Sequence, residues 1–138
     1  MIIRVLLPLD CSPVDVAVLK VVEELIPRPG AEVLLLRVIH AHTLDTLTEE
    51  REKAQRCLHQ TAERLGEHGL PVRMKTAEGE VAETIIRVAE AEDCNLIAMA
   101  THGHHPWERF LLGSVADVLR HRSSIPLLLV NARTHKDP

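Results

Sequence analysis

Two groups of residues in this chain have the types and spacing to hold a small anionic molecule. The first is the stretch ATHGHHPWERFLLGS at residues 100–114. It begins at the end of the apolar run Leu96-Ile97-Ala98-Met99 and closes with Gly113-Ser114, just before the helical pattern Val115, Val118, Leu119. A strand that passes through a long loop into a helix N-terminus presents backbone N–H groups and the positive end of a helix dipole, which bind anions. Strand–helix loops of this length are uncommon and tend to be functional. The second group is Asp10-Cys11-Ser12 at the end of the first apolar run. A carboxylate there can accept hydrogen bonds from sugar hydroxyls or from the amine of a base.

The elements that must position these groups follow from periodicity. Ile2–Leu9 and Ala31–Ile39 read as buried strands, Val72–Thr76 as a short alternating strand, and Asn95–Met99 and Pro126–Val130 as the fourth and fifth strands. Ser12 is placed to cap the first helix, with Pro13 at its first position and Asp15 in its first turn. Ala17, Val18, Val21, Val22 and Leu25 continue that helix until Pro27-Arg28-Pro29-Gly30 stops it. Residues 48–68 form a long amphipathic helix with Leu47, Ala54, Leu58, Ala62 and Leu65 on its apolar side. Val81, Ile85, Ile86, Val88 and Ala89 mark a third helix, and residues 114–122 the last. Alternating strands and helices imply an α/β domain with a parallel sheet covered on both faces. Its ligand site lies beyond the carboxyl ends of the strands, where the strand order reverses. With the first and fourth strands as neighbours there, Asp10 and the 100–114 loop face one another across the reversal.

Bulk properties narrow the field. At 138 residues, 46% hydrophobic and 26% charged, the chain fits one soluble domain, with residues 132–138 expected as a loose tail. A formal net charge of -4 argues against a general nucleic-acid or membrane-surface binder. No apolar run reaches the roughly 20 residues needed to cross a bilayer, and the N-terminus lacks the layout of a secretion signal. Cys11, Cys57 and Cys94 are odd in number and widely spaced. That pattern suits a reducing cytoplasm and predicts neither a disulfide framework nor a zinc site.

At the level of motif the chain resembles the universal stress protein family from Ile3 to Val130. The first strand ends in a P-x-D-x-S pattern at Pro8, Asp10 and Ser12. The family's G-x2-G-x9-G-S/T loop is matched by Gly103, residues 104–112, Gly113 and Ser114, with Ala100 in place of the first glycine. LLGSVA at 111–116 and IPLLLV at 125–130 also fit. The resemblance implies an adenine-nucleotide alpha-hydrolase-like fold, a five-stranded sheet in order 3-2-1-4-5, and homodimers formed through the last strand. It implies a regulatory, stress-response role for an ATP-binding protein, with ADP or AMP as alternative ligands. Carried over by motif, Asp10 would meet the ribose, and Pro8 and Val38 would line the adenine pocket. Met99 and Ala100 would lie beneath base and sugar. Gly103, Gly113, Ser114 and Val115 would hold the phosphates, with Mg2+ bridging their oxygens.

Three departures bear on that reading. Ala100 puts a methyl where the pattern leaves the backbone free to approach the ligand or to take positive φ. His104-His105-Pro106 makes the loop bulkier and stiffer. Cys11 replaces a glycine between acid and serine, so its backbone is expected to use non-glycine dihedrals. A second reading therefore keeps the fold, closes the site, and leaves a protein-interaction module.

The remaining candidates read more plainly. His102, His104 and His105, with His40 and His42, are read as solvated rather than as a metal set. Arg109 is either a loop charge or a phosphate partner. Trp107 and Phe110 read as packing anchors of the loop, and Glu49–Lys53 as a solvated helix face. No Walker A lysine, GxGxxG, GxSxG or SGG-x-DS loop is present, so enzymatic chemistry is limited at most to slow ATP hydrolysis.

Overall fold

A computed structural model of the chain describes residues 2–40, 43–101 and 112–132. Five strands and four helices alternate along these residues: β1 (Ile3–Pro8), α1 (Asp15–Leu25), β2 (Ala31–Ile39), α2 (Leu44–Glu67), β3 (Val72–Glu78), α3 (Val81–Ala91), β4 (Leu96–Thr101), α4 (Leu112–Arg122) and β5 (Leu127–Asn131). The sheet is parallel throughout, in the order β3-β2-β1-β4-β5 expected from the motif resemblance. Parallel neighbours need helical crossovers, and these cover the sheet on both faces. The core is the aliphatic interior that results: Val5, Leu6, Leu7, Leu35, Leu36, Ile97 and Met99 are fully buried. Burial on both faces is why β1, β2 and β4 read as continuous apolar runs rather than alternating ones.

The third helix starts at Val81 as read, while the starts of the other helices differ from the sequence reading. α2 begins at Leu44, four residues earlier than expected, because the Thr43 hydroxyl caps it by accepting from Thr46 N at 3.1 Å. α3 is capped by the Glu80 carboxylate, which accepts from the Ala82 and Glu83 amides. α4 already includes Leu112, so Gly113 and Ser114 lie within the helix rather than before it. In α1 the N-cap position falls to Val14, without a side-chain cap, and Pro13 stands outside the helix. Ser12 is not the cap of α1. Its hydroxyl donates to Asp10 Oδ2 at 2.8 Å and accepts from Val14 N at 3.3 Å.

The β1–α1 turn is organised instead by Asp15, which is 5% exposed. One carboxylate oxygen accepts from Asp10 N at 3.0 Å and the other from Cys11 N at 2.7 Å. With its amide held this way, Cys11 takes a φ of 61°, the left-handed region usually left to glycine. The expectation of non-glycine dihedrals at Cys11 is thus overturned. Two charge-assisted hydrogen bonds offset the steric cost of the Cβ.

Cys11 is also joined to Cys57 of α2 by a disulfide, with the two Cα atoms 6.0 Å apart across 46 residues of sequence. This corrects the expectation that the cysteines form no bridge. Their sequence separation hid a proximity that only the crossover of α2 onto β2 creates. Cys94 is the one free cysteine among the described residues, and it is buried. α1 and α2 are further tied by Glu23, which accepts from Arg64 Nε at 2.6 Å and Arg64 Nη2 at 3.0 Å. The Arg64 guanidinium holds the Glu23 carboxyl below its usual range.

Two expectations follow. Burial, opposed by the two amide bonds and reinforced by the charge of Asp10, pushes the Asp15 carboxyl from 3.8 up to about 6. The folded chain therefore holds this proton more tightly than the unfolded chain, and the group's contribution to stability falls as pH rises from about 4 to about 6. Unfolding free energy measured against pH should show that fall in wild type, and Asp15→Asn should lose it over the same window. Separately, opening the Cys11–Cys57 bridge, by reductant or by Cys57→Ser, should cost about 3 kcal/mol because the unfolded chain regains the entropy of a long loop. Denaturant midpoints of oxidised wild type and the variant check this.

Candidate functional site

The site begins with a missing donor. In β1, Ile3 N donates to Gly30 O at 2.9 Å and Leu9 N to Leu36 O at 2.8 Å, so odd positions turn their amides toward β2. Arg4 N turns the other way and donates to Asn95 Oδ1 at 2.6 Å, on the β4 side. By the same alternation, position 8 turns its nitrogen toward β4, and Pro8 has no N–H to offer. The β1–β4 register accordingly covers Val5↔Leu96 and Leu6↔Ile97 and stops there, although β1 runs to Pro8 and β4 to Thr101. The other flanks stay zipped: β1 pairs with β2 through Pro8↔Leu36, and β4 with β5 through Thr101↔Asn131. The sheet thus parts between its first and fourth strands at their carboxyl ends. This is the point where strand order reverses, and the place where open α/β sheets bind ligands.

Pro8 and Asp10 stand on one lip of this split, Met99 and Ala100 on the other. Met99 and Ala100 are wholly buried. Ala100 pairs with Val130 and is not among the positive-φ residues of the chain, so its methyl imposes no backbone strain. Val38 is buried near the end of β2. Gly113, Ser114 and Val115 lie in the N-terminal part of α4, the end of a helix that carries its positive dipole. Ser114 is exposed and Val115 buried. Gly103, His102, His104, His105, Trp107, Arg109 and Phe110 lie outside the described residues, as does His42. His40 is exposed at the end of β2.

Asp10 is the centre of the arrangement. It is 8% exposed. Its Oδ2 accepts from Ser12, whereas Oδ1 is buried without a hydrogen-bond partner among the described residues. A buried acceptor left open costs free energy on the order of 1–3 kcal/mol unless something donates to it. Asp10 borders two cavities. One, of about 20 Å³, is lined by Pro8, Leu9, Leu36, Val38, Val81 and Ile85 together with Asp10 and Arg37. The other, of about 370 Å³, opens between the β1–α1 turn, Arg37 and the face of α2 that carries Lys53, Arg56 and Cys57.

Two residues have a part here that the sequence reading did not give them: Asp15 was read only as a first-turn acid, and Arg37 was passed over. Asp15 holds the turn that presents Asp10, and its only sequence signal was its place three residues after Ser12. Arg37 interrupts the apolar strand AEVLLLRVI, which was a legible signal of function. Its guanidinium donates to Leu9 O at 3.3 Å and lines both cavities.

Comparison with known proteins agrees with this architecture. Residues 1–131 match the universal stress protein family. The chain is 28% identical over 137 residues to universal stress protein MJ0531 of Methanocaldococcus jannaschii, covering 92% of this chain and 81% of that protein. The solved structure of MJ0577 superposes with a TM-score of 0.80 at 28% identity, over 95% of this chain and 96% of the other. A universal stress protein from Archaeoglobus fulgidus, solved in complex with dAMP, superposes with a TM-score of 0.75 at 20% identity, over 94% of this chain and 99% of the other. On the match along residues 1–131, and with its sheet parted where strand order reverses, the chain belongs to the universal stress protein family.

Proposed function

We propose that this chain is a regulatory adenine-nucleotide-binding protein that takes ATP at the β1–β4 split. The observation that carries the reading is Asp10 Oδ1, a buried carboxylate oxygen with no donor among the described residues, at the lip of that split. A ribose hydroxyl is a donor of the right kind for it. Pro8 and Val38 would flank the base, and Met99 and Ala100 would lie beneath base and sugar. Gly103, Gly113, Ser114 and Val115 would receive the phosphates at the start of α4, where amides and helix dipole favour anions. Mg2+ would be carried on the phosphate oxygens. The dAMP complex of the Archaeoglobus fulgidus relative supports an adenine nucleotide as the ligand class. Homodimer formation through β5 belongs to the same proposal. It is supported by the position of β5 at the sheet edge and by the partial exposure of Leu127, Leu128 and Leu129. A cytoplasmic location is part of this reading too.

One observation favours the interaction-module alternative. The cavity between Pro8 and Val38 holds about 20 Å³, the room of a water molecule rather than of a base. On the nucleotide reading, Val81 and Ile85 give way when adenine enters.

The deciding measurement is mass spectrometry of the supernatant from heat-denatured, freshly purified protein, followed by calorimetry with Mg-ATP. Adenine nucleotide in the supernatant and submillimolar binding are expected. An empty supernatant with no binding at millimolar ATP selects the interaction module. If ATP binds, Asp10→Asn should weaken it by about ten-fold or more, since it exchanges a charged acceptor for an amide. Gly113→Val with Ser114→Ala should abolish phosphate-dependent affinity while circular dichroism stays that of wild type. Binding by that double variant equal to wild type would overturn the phosphate assignment.

A further inference from the structure

The 370 Å³ cleft and the disulfide at its edge point to chemistry that nucleotide binding does not use. Its cations are Arg37 from β2 and Lys53 and Arg56 from α2, and its acids are Asp10 and Glu50. Glu50 is partly spent on Lys53 at 3.9 Å, while Arg56 makes no ion pair among the described residues. Both halves of the bridge, Cys11 and Cys57, line the same cleft. Cys11 is exposed and Cys57 half-buried.

We propose that Cys11–Cys57 is a thiol–disulfide exchange site, and that the cationic wall of the cleft selects a small anionic thiol as its partner. The charges around the two sulfurs assign the direction of attack. Cys57 has Lys53 four residues before it on the same face of α2 and Arg56 beside it, so its thiolate is the better stabilised leaving group. Cys11 is flanked by Asp10 and by the Asp15 carboxylate on its own amide, which disfavour a thiolate there. The incoming thiolate therefore attacks the exposed Cys11 Sγ. An S–S bond forms between the reagent and Cys11, the Cys11–Cys57 bond breaks, and the electron pair leaves on Cys57. A second thiolate attacks the reagent sulfur of the mixed disulfide and releases Cys11. In total two small thiols are oxidised to their disulfide, the protein disulfide gains two electrons, and the two thiol protons pass to Cys11 and Cys57. Exchange falls within one residue of Asp10, but the proposal stands whether or not a nucleotide binds.

The test compares reduction of the native, oxidised protein by 2-mercaptoethanesulfonate and by 2-mercaptoethanol. Rates are followed by alkylation and mass spectrometry and normalised to thiolate concentration. The anionic thiol should react about ten-fold faster at low ionic strength, as attraction to a cationic cleft provides. That preference should vanish at about 0.5 M salt, where charges are screened within a few ångströms. It should also vanish in the folded variant Lys53→Glu with Arg56→Glu. In Cys57→Ser, oxidised reagent should leave its adduct on Cys11. Equal rates for the two thiols, a preference that survives charge reversal, or a bridge that reduces only in denaturant would each overturn the proposal.

Discussion

A single absent hydrogen-bond donor decides where this sheet opens. β1 is the middle strand, and its carboxyl end would zip to β4 if position 8 could donate toward it. Proline cannot, and the strand pair parts after Leu6↔Ile97. Everything assigned to the site is arranged around that parting. Asp10 extends from one lip, Ala100 closes the other, and α4 brings its N-terminal part to the same carboxyl edge. The fold keeps the opening local, because β1 remains bonded to β2 and β4 to β5 up to the ends of their strands.

The β1–α1 turn carries the second layer of control. Asp15 is a buried carboxylate whose two oxygens are spent on two successive amides. Those bonds fix the backbone from which the Asp10 side chain projects. Ser12 then takes one oxygen of Asp10 and leaves the other for a donor from elsewhere. The cost of this geometry shows in two places: a non-glycine residue in the left-handed region and a carboxyl proton held tighter than normal. Strain and shifted acidity are thus concentrated beside one open, buried acceptor.

Much of this was legible in the sequence, and the failures have specific physical causes. The apolar-rich runs at 2–9, 31–39 and 95–99 announced doubly covered strands, and Pro8 and Asp10 do fall at the carboxyl end of the middle strand. The first-turn details were not legible, because Asp15 reaches back to the Asp10 and Cys11 amides ahead of the helix, while Ser12 bonds Val14 N and the Asp10 carboxylate instead of capping α1. The disulfide was hidden for a different reason. Residues 46 apart become neighbours only through a crossover helix whose rotation the sequence does not specify. Arg37 is the instructive omission, since a lone guanidinium in a buried strand is costly unless its head reaches the strand's end, as it does here toward Leu9 O.

The bridge between Cys11 and Cys57 also changes the chain as a mechanical object. It closes a covalent ring that contains all of α1 and β2 and the first half of α2. A peptide bond cut anywhere inside that ring leaves both fragments attached, so cleavage there alters the chain without shortening it. Pulled from its ends, the oxidised chain extends as though the ring were a knot, shorter by about 150 Å of contour than the reduced chain.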